Sequence, residues 1–139
     1  MSVTLMALYR RPEGGEEAWL TFRRRYRDEH LPLVRQAPGL RSLHVARVAQ
    51  ALSETNLVLV ARMIFDDRAA LDEAIASEPM RAAARVLREI APRDAVTLLV
   101  LEPDAGLGSE YAAEKDADEG LVDAGEPPAP TGAPGGAAS

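Results

Sequence analysis

The pattern of apolar and polar positions along residues 1–102 predicts four strands and two helical regions. Short apolar runs bounded by turn residues predict the strands, and amphipathic stretches with capping residues predict the helices. Pro32 is expected to break or restart the first helix, and Asp66 or Asp67 is expected to cap the second helical region. Ser77 before Glu78-Pro79 predicts a fresh helix start within that region. The predicted strands are residues 3–10, 40–49, 57–65 and 95–102, and the predicted helices are residues 15–27, 67–75 and 80–90.

The order β-α-β-β-α-β predicts an α+β fold, the ferredoxin-like sandwich of four antiparallel strands with two helices on one face. Residues 57–61 and 96–101 do not alternate between apolar and polar side chains, which indicates that both faces of the sheet are buried. Because two helices cover only one face, we expect a second subunit on the other and predict a homodimer joined sheet against sheet. The alternative is a monomer whose C-terminal tail covers the open face.

The composition changes sharply after Glu102. Residues 103–139 contain twelve Gly and Pro residues, and their eight acidic residues face one lysine, Lys115. This composition predicts a disordered acidic tail beyond a single domain of residues 1–102. Residues 1–102 hold fifteen arginines and fourteen acidic residues, so the domain is nearly neutral and lacks the basic surface of a nucleic-acid-binding protein.

Several classes of site and of protein are excluded because the sequence lacks the residues that they need. There is no cysteine, which excludes disulfides, thiolate nucleophiles and cysteine-ligated metal sites. No apolar run is long enough to span a bilayer, and the first ten residues lack the basic start of a signal peptide. We therefore expect a cytoplasmic protein with no membrane partner. The two histidines do not have a metal-ligand spacing, and no metal site is expected.

One stripe of the first helix carries most of the candidate chemistry. Trp19, Phe22, Tyr26 and His30 follow one another at steps of three, four and four, which places them on one helical face. Such a stripe is either simple core or the wall of a ligand pocket. His30 at its end is a candidate for proton transfer, because imidazole titrates near neutral pH. Otherwise it is a buried imidazole bonded to a backbone carbonyl, or a cation at a helix end.

Two further residues have placements that the sequence leaves open. His44 lies in the middle of the second strand, and its face depends on the strand register. In one register it enters the pocket as a second polar group, and in the other it lies in the dimer interface, where an acidic residue would be its partner. Tyr9, at the end of the first strand, lies either at the pocket rim or on the surface.

The segment from Phe22 through Tyr26 and His30 to Pro32-Leu33, followed by Pro38-Gly39-Leu40, resembles the signature of the EthD-like family. Residues 7–14 and 77–80 resemble that family as well, and the resemblance covers residues 3–102. It implies a dimeric α+β barrel with a pocket for a small hydrophobic or aromatic substrate between helices and sheet. His30 matches the recurrent polar position of the family, and Phe22 and Tyr26 match its aromatic wall positions.

Activities in this superfamily include cofactor-independent oxygenation, lactone isomerisation, decarboxylation and cyclisation. The resemblance therefore favours a monooxygenase-like oxidoreductase without a bound cofactor, with His30 as general base and Tyr26 orienting the substrate. Trp19, Phe22, His44 and Tyr9 are the expected substrate-binding residues. The alternatives are an isomerase or cyclase on the same fold, and a non-catalytic ligand-binding or accessory module of a degradative oxygenase system.

Overall fold

In the computed structural model, residues 1–108 are described, and residues 1–102 form a four-stranded antiparallel sheet with helices on one face. The sheet order is β2-β3-β1-β4. Strands β1 and β3 have the predicted bounds, whereas β2 and β4 are shorter than predicted. The strands are β1 (Val3–Arg10), β2 (Ser42–Arg47), β3 (Leu57–Phe65) and β4 (Val96–Leu101).

The two central strands show the alternation of a sheet with one covered face. Odd-numbered residues of β1 and β3, from Leu5 to Tyr9 and from Leu59 to Phe65, are buried under the helices. We call the other side of the sheet the open face, because the helices do not cover it. Apolar residues of the open face are half-buried or exposed in the single chain, namely Met6, Leu8, Ala46, Val60, Ile64, Leu99 and Leu101.

The first helical region runs further than the predicted helix. Helix α1 (Gly15–Arg25) is followed without a break by a π-helical turn (Tyr26–His30) and by the short helix α2 (Leu31–Val34). The amide of Leu31 donates to the carbonyl of Tyr26, the i→i+5 pattern of a π turn. Pro32 therefore does not end the helical path, because it lies in the first turn of α2, where its missing N–H is tolerated.

The second helical region consists of α3 (Arg68–Ala76) and α4 (Glu78–Ile90). The side chain of Asp67 caps α3 by accepting a 2.8 Å hydrogen bond from the amide of Ala70, which selects Asp67 over Asp66. Ser77 separates the helices as predicted but does not cap α4 with its side chain. Its hydroxyl instead donates to the carbonyl of Ala74 at 2.6 Å, at the end of α3.

The chain divides after Glu102, and Pro103 begins a second unit. Of the predicted disordered tail, residues 103–108 are described and contain one 3₁₀ turn at Ala105–Leu107, held by the side chain of Asp104. The rest of that predicted tail lies outside the described residues. Within residues 1–108, no helix is long and apolar enough to cross a membrane.

Candidate functional site

The predicted aromatic stripe exists and is stacked along its length. The ring of Phe22 stacks on Trp19 at a centroid distance of 6.0 Å and on Tyr26 at 5.4 Å, with interplanar angles of 16° and 21°. Tyr26 in turn stacks on His30 at 4.9 Å. All four side chains are buried between helix and sheet. The two guanidinium groups of Arg11 and Arg23 lie near the outer end of the stack, 5.8 and 6.0 Å from the centre of the Trp19 ring.

His30 is held by the helix that packs against its turn. Its Nδ1 lies 2.9 Å from the carbonyl oxygen of Ala83 in α4. A carbonyl only accepts, so Nδ1 carries the proton and Nε2 is left with its lone pair. Burial lowers the pKa of His30 below its ordinary value, and the bond to Ala83 opposes this shift. The imidazole is therefore neutral at pH 7.

The hydroxyl of Tyr26 is occupied by a second tyrosine. It donates a 3.0 Å hydrogen bond to the hydroxyl of Tyr9, whose ring meets Tyr26 edge-on at 5.1 Å and lies 6.0 Å from Phe22. The surface alternative is wrong for Tyr9, because it is buried on the helix-covered face of β1. Burial raises the pKa of Tyr26 to about 12, against a lowering effect of its bond to Tyr9, and raises the pKa of Tyr9 further.

The register of β2 decides the position of His44. His44 pairs with Arg62 of β3, and both side chains lie on the open face. Ala61 and Tyr9 lie on the other face of the sheet, under the helices. The expected role of His44 as a pocket residue is therefore wrong: the sheet itself separates it from the aromatic stack. The alternative placement, on the face predicted to meet a second subunit, is the observed one. Within its own sheet the facing group is the cation Arg62 rather than an acidic residue.

A cleft of about 830 Å³ opens beside the aromatic stack. One wall is a stripe of α1 that includes Ala18, Thr21, Phe22 and Arg25. The opposite wall is the end of α4 with the segment that leads into β4. The cleft is lined by Arg10, Arg11, Pro12, Glu13, Gly14, Glu17, Ala18, Thr21, Phe22, Arg25, Asn56, Glu89, Ile90, Pro92, Asp94 and Ala95.

Of the six residues predicted to form the site, only Phe22 lines this cleft. Trp19, Tyr9, Tyr26 and His30 lie behind Phe22 in the core, and His44 lies on the other side of the sheet. The polar lining of the cleft was not predicted from the sequence. The run from Arg11 to Gly15 indicated only a turn, and the residues at the end of α4 carried no signal that the fold brings them opposite α1.

Arg25 joins the two walls of the cleft. Its guanidinium binds both carboxylate oxygens of Glu29 at 2.7 and 2.9 Å and one oxygen of Glu89 in α4 at 3.1 Å. These bonds raise the pKa of Arg25 and lower that of Glu29. The ion pair to Glu89 links α1 to α4 at one edge of the cleft. Among residues 1–108, no group of three or more metal-ligating side chains lies close enough together to hold a metal ion.

Comparison with solved structures identifies similar proteins. An ethyl tert-butyl ether D (EthD) family protein from Bacillus halodurans is 31% identical, with a TM-score of 0.65 over 73% of this chain and 98% of that chain. A dimeric protein of unknown function with a ferredoxin-like fold, from Bacteroides fragilis, is 17% identical, with a TM-score of 0.56 over 73% of this chain and 95% of that one. A variant of SnoaB, a cofactor-independent oxygenase from Streptomyces nogalater, is 17% identical, with a TM-score of 0.50 over 73% of this chain and 91% of that chain.

The predicted ferredoxin-like α+β fold is confirmed by these structures and by the observed sheet order. Comparisons with protein-family models and with curated protein sequences gave no match.

Proposed function

The chain belongs to the EthD family, and from this premise we propose that it is a homodimer that binds a small, partly apolar organic ligand in the cleft beside Phe22. The observation that carries the proposal is the cleft itself. Its volume of about 830 Å³ lies in the range of small-molecule sites. Phe22 offers an aromatic surface that is fixed from behind by its stack on Trp19 and Tyr26.

The lining of the cleft indicates the kind of ligand. Ala18, Phe22, Ile90 and Ala95 supply apolar contacts for a flat or compact carbon skeleton. Charged and amide side chains lie around them, and they favour a ligand that also carries hydrogen-bonding groups. A purely hydrocarbon ligand would leave these polar groups without partners.

We favour ligand binding without catalysis, the accessory-module alternative, because the polar atoms of the stack have internal partners. His30 donates through Nδ1 to Ala83, and the hydroxyl of Tyr26 donates to Tyr9. Neither residue lines the cleft. In this proposal His30 and Tyr26 hold the π turn against α4 and β1, and they thereby position Phe22 for the ligand.

The second candidate function is a cofactor-independent, monooxygenase-like oxidoreductase with His30 as general base and Tyr26 as the orienting residue. Two observations favour it: the imidazole of His30 is neutral with a lone pair at Nε2, and a structure of similar fold is described as a cofactor-independent oxygenase. A neutral imidazole accepts a proton from a phenol or enol, and an apolar site then shelters the anion. An isomerase or cyclase would use the same base.

The open face supports the homodimer. It presents apolar side chains of all four strands, and Leu99 and Leu101 are about 40% exposed in the single chain. Several similar structures are described as dimeric. Burial of apolar surface is the main driving force of such association. Sedimentation of the full chain at micromolar concentration is expected to give twice the monomer mass, and a monomer would refute the homodimer.

Trp19 provides a direct test of the ligand site. It is the only tryptophan of the chain and stacks on Phe22, so a ligand on Phe22 is expected to change its fluorescence. A panel of small aromatic acids, phenols and lactones would be titrated against the protein. Thr21→Leu fills the cleft from an exposed position of α1, and Ala84→Leu adds the same side chain to an exposed position of α4 outside the cleft.

We expect Thr21→Leu to weaken the binding of a panel ligand at least about tenfold, whereas Ala84→Leu leaves it unchanged. Equal binding by both variants would place the ligand elsewhere. His30→Ala then separates the two candidate functions. Loss of roughly 10²–10⁴-fold in turnover of a bound ligand supports the general base. Retained binding with no turnover by the parent protein supports the accessory module.

A further inference from the structure

The ionisable side chains on the open face all have basic chemistry. By the strand register they are His44 on β2 and Arg62 on β3. The open-face residues of β4 are Thr97, Leu99 and Leu101, so that strand adds no charge. No aspartate or glutamate lies on the open face of the four strands.

His44 is therefore set among cations and neutral groups. Directly across the sheet from it is Arg62, and side chains at this spacing in an antiparallel pair are close enough to interact. Its neighbours along the strand and diagonally are Ser42, Ala46, Val60 and Ile64. Asp66, the first acidic residue after β3, is already bonded twice to Arg41, at 2.8 and 2.9 Å.

Arg10, at the end of β1 where the register with β3 shifts, lines the cleft and adds no acidic group to the open face. Its guanidinium donates to the hydroxyl of Thr97 at 3.0 Å and to the carbonyl of Asp94 at 3.3 Å, and both acceptors are neutral. Within residues 1–108, neither Arg10, His44 nor Arg62 takes part in a salt bridge, whereas seven other ion pairs form around the fold.

We propose that His44 makes the homodimer sensitive to acid: the neutral imidazole is compatible with a second copy on the open face, and protonation beside Arg62 drives the two copies apart. This inference rests on the homodimer proposed above. A two-fold axis brings two imidazoles and two Arg62 guanidinium groups into one interface. Burying an imidazolium there costs its hydration without an acidic partner in return, and each dimer must exclude two such protons.

The test is the dimer dissociation constant of the full chain at pH 8.0 and pH 5.5, measured by sedimentation at constant ionic strength. For a dimer that binds fewer protons than two separate monomers, log Kd rises as pH falls. Because two protons are excluded per dimer, the rise is up to two log units for each pH unit. We expect Kd to rise at least roughly tenfold over this interval.

His44→Gln keeps a neutral polar side chain of similar size and is expected to remove the pH dependence. The chain has only two histidines, and His30 is buried in the core, so the variant isolates one titrating side chain. Arg62→Gln, the second variant, keeps His44 but removes the facing cation, and it is expected to reduce the pH dependence.

The outcomes separate the two proposals. A monomer at both pH values refutes the homodimer and this inference with it. A stable dimer with the same Kd at pH 8.0 and 5.5 leaves the homodimer standing and overturns the role of His44. A pH dependence that His44→Gln retains also overturns that role, because another group is then titrating.

Discussion

The hydroxyl of Tyr26 donates a 3.0 Å hydrogen bond to the hydroxyl of Tyr9, and both tyrosines are almost fully buried. The bond joins the π turn to β1, one of the two central strands of the sheet. It lies directly behind Phe22, whose ring contacts both tyrosines, so it fixes the wall of the cleft from the inside. Through this bond each of the two buried hydroxyl groups has a hydrogen-bonding partner.

We predict that the two tyrosines are energetically coupled. Tyr26→Phe leaves the hydroxyl of Tyr9 buried without its donor, and Tyr9→Phe leaves that of Tyr26 without its acceptor. Each substitution is expected to lower the free energy of unfolding by about 1–2 kcal/mol. The double variant removes both hydroxyls and is expected to lose clearly less than the sum. Urea unfolding of the four proteins at one concentration measures the coupling, and additive losses would contradict it.

The sheet was predictable because its central strands carry their own pattern. Residues 3–10 and 57–65 are bounded by turn sequences and contain the apolar residues of a buried strand, and both have the observed bounds. The π turn was not predictable, because steps of three, four and four fit an uninterrupted α-helix as well as one with an inserted residue. The i→i+5 bond from Leu31 to Tyr26 distinguishes the two.

The candidate site was less predictable, since it depends on the packing of distant segments. The stacking of Phe22, Tyr26 and His30 follows from their spacing on one helix. The face of His44 depends on a strand register that no residue near it specifies. The polar lining of the cleft joins the turn after β1 to the end of α4, and that meeting is a property of the folded chain.

Stability is predicted to fall at alkaline pH because of the same tyrosine pair. In the unfolded chain both phenols ionise near pH 10, whereas the folded chain holds the pKa of Tyr26 at about 12 and that of Tyr9 higher. Above pH 10 the unfolded state therefore binds fewer protons, and stability decreases as pH rises. Between pH 9 and pH 11 the loss is expected to be roughly 2 kcal/mol. The Tyr9→Phe/Tyr26→Phe double variant should show little of this loss by urea unfolding.

Stability is also predicted to fall as the solution becomes mildly acidic, through His30. Burial lowers its pKa in the folded chain, so below the ordinary value of 6.5 the unfolded chain takes up a proton that the folded chain excludes. Stability is then lost as pH falls from 6.5 towards the lowered pKa.

Unfolding midpoints at pH 7.5 and 5.0 in a His44→Gln background measure the loss without a contribution from the second histidine. His30→Gln in the same background is the control, since its amide can still donate to Ala83 but does not titrate. An equal drop in both proteins would assign the loss to other groups.

Two adjacent glycines at the start of α1, the N-cap Gly14 and the first helical residue Gly15, are predicted to differ in their tolerance of a side chain. Both have positive φ, +109° at Gly14 and +80° at Gly15, so alanine is strained at either position. A Cβ at Gly14 would lie only 2.9 Å from the Cβ of Ala18, whereas a Cβ at Gly15 meets nothing within 4 Å. Gly15→Ala is expected to cost about 1 kcal/mol for the backbone alone.

Gly14→Ala adds a steric clash to that strain and is expected to cost about 2–3 kcal/mol. The clash is with the first turn of α1, which carries Ala18 in the wall of the cleft, so this variant should also weaken ligand binding. Thermal unfolding and Trp19 fluorescence measure the two effects on the same samples. If Gly15→Ala proved as harmful as Gly14→Ala in both measurements, the backbone conformation rather than the contact with Ala18 would set the cost at both positions.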